Sequence, residues 1–219
     1  MAILRKGFLG GFSGPVGPGS GAVWKGRNIL KSRPGKRTKP VQPQPQHAIM
    51  DVLSRFLSPF KRFIKTGFYH KKNKDSPFNR AMHYNWDRAL IGSAPNYKID
   101  YKKIILSRGS REPAWAGTVI LEAADQIKVS WEVPVTAKMK LIGSDRAIIM
   151  VYNENEPQHI CYSDKAIRSD LSATVEMLYI YRGRESHVWI FFVSPDGKSV
   201  SNSDYLGSVL TGTIDDSIN

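Results

Sequence analysis

At 219 residues, with a single cysteine and a formal net charge of +13, the chain is long enough for one ordinary domain plus an appendage, since single domains centre on roughly 100 to 150 residues. The lone Cys161 excludes an internal disulfide framework, so folding must rest on packing and suits a reducing compartment. No stretch reaches the roughly 18 consecutive apolar residues that a membrane-spanning helix needs.

The charge is segregated. Residues 1–100 hold 19 Lys and Arg against four acids, a net +15, whereas residues 101–219 hold 13 against 15, a net −2. Segregated charge makes a field that mixed charge would cancel. Residues 1–50 carry nine cations and no acid.

Residues 1–46 are rich in Gly, Pro, Ser, Lys and Arg, a composition that cannot build its own core. Arg5-Lys6 followed by Phe8-Leu9-Gly10-Gly11-Phe12 imitates a signal peptide, but the apolar run is too short and Gly14-Pro15 interrupts it. The expected location is therefore the cytoplasm or a virion. Phe8, Phe12, Trp24 and Ile29 recur along the segment like anchors, so an extended basic arm that docks on another surface is expected.

Ile49, Leu53, Phe56, Phe60 and Phe63 follow at spacings of three and four, the stripe of an amphipathic helix. Pro59 kinks it, or Ser58 caps a second helix with proline in its first turn. Gly67 stops the run, Lys71-Lys72-Asn73-Lys74 makes a basic loop, and Ser76-Pro77 starts a helix expected to reach about Ile91. Two or three short helices thus fill residues 47–95.

After Pro95 the apolar period becomes two. Candidate strands are 101–107, 118–122, 126–133, 147–152, 159–162, 175–181, 188–193 and 205–210. The expected fold class is α+β: a basic arm over 1–46, helices over 47–95, an antiparallel β-sandwich of immunoglobulin or fibronectin III type over 96–212, and a tail over 213–219.

Motifs for catalysis are incomplete. Gly21-Ala22-Val23-Trp24-Lys25-Gly26-Arg27-Asn28 has the glycine spacing of a phosphate loop but lacks its Lys-Ser/Thr pair. Trp24 stands where a dinucleotide fingerprint needs glycine, and no carboxylate pair can be named. The five histidines lack paired metal-ligand spacing. His159 and Cys161 would share a strand face, a bland reading being one small buried thiol. Neither a metal, a cofactor nor an enzymatic activity is expected.

Several short motifs remain: the glycine arm leading to Trp24-Lys25-Gly26, Ile29, Arg33-Pro34, Gly67-Phe68, Tyr101, Ser107-Arg108-Gly109, Asp196-Gly197-Lys198 and Ser201-Asn202-Ser203-Asp204-Tyr205-Leu206-Gly207. In this order they resemble an uncharacterised bacterial domain-of-unknown-function family of about this length. The resemblance implies one evolutionary unit and supplies no catalytic residues.

What chemistry the sequence does offer is positive charge interleaved with aromatics. Arg5, Lys6, Trp24, Lys25, Arg27, Lys31, Arg33, Lys36, Arg37 and Lys39, with Lys61, Arg62, Lys65, Lys71, Lys72 and Lys74, suit the phosphates of a nucleic acid without reading its bases. Phe8, Phe12, Trp24, Ile29, Phe56, Phe60 and Phe63 are the expected subunit contacts. Self-association as a structural assembly protein, most concretely a bacteriophage virion protein, is the first expectation. A soluble nonspecific nucleic-acid-binding accessory protein is the second, and a secreted adhesin-like module a weaker third.

Overall fold

A computed structural model describes residues 3–4, 11–24, 26–33, 45–69, 75–123, 125–135, 138–157 and 159–211. Arg5, Lys6, Phe8, Lys25, Lys36, Arg37, Lys39, Lys71, Lys72, Lys74 and the expected tail lie outside them. The chain divides into two compact units, Met1–Pro43 and Gln44–Asn219, and each is described by itself.

In the first unit, β1 (Ile3–Leu4), β2 (Phe12–Val16), β3 (Gly19–Trp24) and β4 (Arg27–Ser32) pair in that order as an antiparallel meander. This corrects the expectation of an extended arm. Gly17 at φ 53° and Gly26 at φ 77° take the left-handed turn conformations that fold glycine-rich sequence into hairpins. Pairing of Trp24 with Arg27, Ala22 with Ile29 and Ser20 with Lys31 puts Trp24, Arg27, Ile29 and Lys31 on one face. Phe12, Val16, Val23 and Leu30 occupy the other, where the Phe12 ring lies against Gly21.

The second unit begins with α1 (Pro45–Leu57), α2 (Lys61–Gly67) and α3 (Pro77–Asn85). The chain breaks at Pro59 as the sequence reading allows, although α2 starts after Phe60 and Ser58 caps nothing. Ser76 does cap α3, accepting a hydrogen bond from Asn79 N at 3.2 Å with Pro77 in the first turn. That helix stops at Asn85, short of the expected Ile91. The two-stranded ribbon β5 (Leu90–Ile91) and β6 (Lys98–Ile99) follows.

Seven strands form the rest: β7 (Trp115–Ala123), β8 (Gln126–Glu132), β9 (Arg146–Asn153), β10 (Ile160–Ser163), β11 (Ser172–Glu176), β12 (Glu185–Val193) and β13 (Asp204–Leu210), with the single turn α4 (Met139–Ile142) before β9. They make a three-stranded sheet, β11-β8-β7, and a four-stranded sheet, β10-β9-β12-β13, both antiparallel. Side chains alternate across a strand. Ala147, Ile149 and Val151 of β9 and Val188, Ile190 and Phe192 of β12 therefore meet Ile127, Val129 and Trp131 of β8 in one core. Ile148, Met150 and Tyr152, with Trp189, Phe191 and Val193, point the other way into a second core shared with the helices.

This second core corrects two expectations. Phe56, Phe60 and Phe63 are buried in it and so cannot serve as subunit contacts. Residues 101–107, read as a strand, pair with no strand. Buried Asn85 instead bonds Ile105 in both directions, at 2.8 and 2.9 Å, and Leu106 N donates to Ser203 Oγ at 2.8 Å. Ile104 and Leu106 point inward. The expected strand 175–181 likewise ends early at Glu176, after which Tyr179–Tyr181 forms a 3-10 turn.

Replacing Phe60 with Ala removes a fully buried ring from between helices and sheet. We expect Phe60→Ala to lower unfolding stability by about 3 to 5 kcal/mol in urea titration. Exposed Lys65→Ala should change it by less than about 0.5 kcal/mol.

Candidate functional site

A cavity of about 640 Å³ lies beside α3. Phe68 and Tyr69 line it from just beyond α2, Asp75 from just before α3, Asn79, Arg80, His83 and Tyr84 from α3, and Arg108 and Gly109 from the loop after β6. A second cavity of about 490 Å³ adjoins it and shares Asn79 and His83. That one is mainly apolar, with Met50, Phe78, Met82 and Trp86 in its wall and Ser54 and Asp87 as further polar members.

Local backbone contacts explain why Arg108 projects here. Gly67 O accepts from Arg108 N at 2.9 Å, with Ser107 Oγ 3.3 Å away. A Cβ on Gly67 would come within 2.7 Å of Leu106 O, so only glycine lets α2 approach the loop so closely. On the other side Gly109 packs on the Val200 carbonyl, and its N donates to Asn202 Oδ1 at 3.2 Å. Ser107 Oγ donates to Ser201 O at 2.7 Å, and Ser203 N to Ser107 O at 3.0 Å. Gly67-Phe68, Ser107-Arg108-Gly109 and Ser201-Asn202-Ser203, distant in sequence, thus form one hydrogen-bonded knot behind the cleft.

The cleft's charge is only partly neutralised. The guanidinium of Arg108 lies 4.5 Å from the centre of the Tyr84 ring, as does that of Arg88, a cation–π arrangement. Among the described residues neither Arg80 nor Arg108 forms an ion pair, and Arg80 Nε is buried without a hydrogen-bond partner. Of the cations expected to bind phosphate, Lys61 sits 5.4 Å over Phe78 at the apolar cavity. Arg62 turns away, donating to Tyr162 Oη at 2.7 Å and lying 3.9 Å from Asp164. Lys65 is exposed outside the cleft lining. Arg27, Lys31 and Arg33 are exposed in the first unit, as is Trp24, while Phe12 and Ile29 are half-buried.

Arg80, His83, Arg88, Arg108, Tyr69 and Tyr84 were missed by the sequence reading. Arg80 and Arg88 fell within a helix judged by its inner face, and Arg108 sat at the end of an expected strand. The only advance signal was Arg108 inside a family-like motif.

Two other clusters are structural. Arg168 is fully buried, with its guanidinium 3.6 Å over Phe192. It donates to the carbonyls of Glu112 and Pro113 at 2.7 and 3.1 Å, and pairs with Asp145 at 3.5 Å. Burial raises the Asp145 carboxyl above its ordinary range more than Arg111 and Arg168 lower it, and burial lowers Arg168. The pair joins loops rather than facing a ligand. On β10, Cys161 is buried and its Sγ accepts from Leu178 N at 3.3 Å. Burial pushes its thiol up. His159 is exposed beside it; no group of three or more His, Cys, Asp and Glu suited to a metal occurs among the described residues.

Residues 11–207 match the model of the family of unknown function DUF6266. The chain belongs to that family. No curated protein matches it. Among solved structures, the fn3 domain of human contactin 1 is similar at 12% identity and a TM-score of 0.37, over 52% of this chain and 87% of that one. The fibronectin type-III domain of human fibronectin type III domain containing protein 3 is similar at 17% identity and a TM-score of 0.36, over 51% and 96%.

A buried thiol held in its protonated form is a poor nucleophile. Cys161 in the native DUF6266 protein should therefore react with an aromatic disulfide reagent at least about a hundredfold more slowly than in guanidinium; equal rates by absorbance would contradict its burial.

Proposed function

We propose that this DUF6266 protein is a non-enzymatic binding protein whose α3 cleft takes the phosphates of a nucleic acid without reading sequence. The observation that carries this reading is the cleft wall itself. Arg80 and Arg108 line one cavity with the exposed Tyr69 and with Asp75, and no carboxylate, Asp75 included, forms an ion pair with either arginine among the described residues. Cations attract phosphate and release counterions, while aromatic faces accept unpaired bases whatever their identity. The strongly positive N-terminal half of the sequence adds a long-range field of the same sign.

The seven strands form the scaffold, and we read them as a sandwich of fibronectin III type. Its support is the order β7-β8-β11 against β10-β9-β12-β13, with hairpins joining β7 to β8, β9 to β10 and β12 to β13 and the other three connections crossing between the sheets. A cytoplasmic or virion setting fits the same reading.

One observation favours assembly as a second reading. The first unit's meander exposes Val16, Val23 and Leu30 on one face and carries Arg27 and Lys31 on the other. A sheet with exposed apolar side chains gains by covering them. A structural assembly protein, such as a bacteriophage virion component, would use one face for protein and the other for phosphate. Light scattering that finds a strict monomer at high concentration, with and without DNA, would remove this second reading.

The first reading is tested by fluorescence anisotropy of a labelled single-stranded oligonucleotide across a salt series. Micromolar binding that weakens steeply with salt is expected. In the Arg80→Ala/Arg108→Ala double variant the slope of log K against log salt should flatten by about 1.4, two phosphate contacts at roughly 0.7 each. No binding at low salt, or an unchanged slope, would refute it.

A further inference from the structure

Resting on that reading, we propose that the α3 cleft seats a single unstacked nucleotide, its phosphate at Arg80 and Arg108 and its base in the apolar cavity between Phe78 and Trp86, so that the protein prefers single strands to duplex.

The two cavities differ in chemistry and meet at shared residues. The first has the cations; the second is walled mainly by Met50, Phe78, Met82 and Trp86. Asn79 and His83 belong to both, Asp75 lines the first, and Ser54 and Asp87 line the second, so a ligand that fills the pair would present an anion to Arg80 and Arg108 and apolar surface to Phe78 and Trp86. Each cavity, at about 640 and 490 Å³, falls in the range of roughly 300 to 1,000 Å³ typical of small-molecule sites. At the junction the amide of Asn79 and the imidazole of His83 offer both donors and acceptors to a base edge or a sugar hydroxyl.

Arg80 adds a second observation. Its Nε is buried without a partner among the described residues, and a buried unsatisfied donor costs free energy until something accepts from it. Arg108 already lies over the Tyr84 ring, which restricts its guanidinium before an oxyanion arrives.

A duplex cannot use this arrangement. Its bases are stacked and paired, and placing one in a side pocket means unstacking it at a cost of a few kcal/mol. A single strand avoids most of that cost. Contacts to phosphate alone would be available to both forms and would give no preference.

Anisotropy with labelled oligothymidylate and with a duplex of equal length separates the two, in the full chain and in Phe78→Leu, which keeps the apolar contact with the core but removes the aromatic face. Thermal melting of the variant checks its fold. The expected result is single-strand binding at least about tenfold tighter than duplex binding, with Phe78→Leu losing most of that preference and leaving duplex affinity and the salt slope unchanged. A thermal-shift titration with thymidine monophosphate and with inorganic phosphate identifies the source of the ligand. Stabilisation by the nucleotide alone supports the seat and marks free nucleotides as ligands, whereas equal stabilisation by both reduces it to a phosphate site and overturns the inference. Equal affinity for both strand forms with a neutral Phe78→Leu also overturns it, while leaving the phosphate-binding reading in place. Failure of both probes to bind removes that reading itself.

Discussion

The strands β9 and β12 carry apolar side chains on both sides, and neither side can be left to water. Ala147, Ile149 and Val151 face the three-stranded sheet while Ile148, Met150 and Tyr152 face the helices, and β12 repeats the pattern from Val188 to Val193. Each large side chain moved from water into such a core contributes about 1.5 to 3 kcal/mol. A two-layer sandwich would forfeit one whole face. The helices are therefore a third layer of the same fold, which is why residues 44–219 hold together as one unit.

That demand decides what the helices can offer elsewhere. Their aromatic stripe is spent on the sheet: Phe56 and Phe60 pack against Tyr152 and Trp189, with ring centres 5.1 to 6.3 Å apart, and nothing of it remains for a partner subunit. What stays at the surface is the polar flank of α3 and the loop that Gly67 and Asn85 hold against it. The cleft is a by-product of closing the core. Arg80 lines it because its helix had to turn Ala81, Met82 and Asn85 inward, and Arg108 because Gly67 holds its loop there.

The positions of most strands from β7 to β13 were legible, because alternation and turn chemistry are local signals. So was the break at Pro59 and the capped start at Ser76-Pro77. The doubly covered sheet was not: Ala147 to Tyr152 and Val188 to Val193 read as plain apolar runs, and periodicity alone does not say what covers each side. Residues 101–107 misled for a related reason. Their apolar spacing imitates a strand, but their backbone groups are satisfied by Asn85 and Ser203 side chains 20 and 97 positions away. In the N-terminal segment composition pointed to an unpaired arm, whereas the spacing of Gly17 and Gly26 between short runs was a hairpin signal that the overall glycine content obscured.

Arginine plays two opposite parts in this molecule, and the contrast bears on the cleft. Arg168 is sealed in against Asp145, two carbonyls and an aromatic ring, and burial disfavours its charge more than those partners support it. Arg108 has the aromatic ring but no carboxylate, and its side chain remains open to solvent. A guanidinium held by a ring has already lost much of its rotational freedom, so an arriving oxyanion need not supply that ordering. Because Gly67 and Gly109 clamp the backbone on either side, the loop too is ordered in advance. An exposed cation that merely solubilised the protein would need neither constraint; a cation kept ready for an anion gains from both.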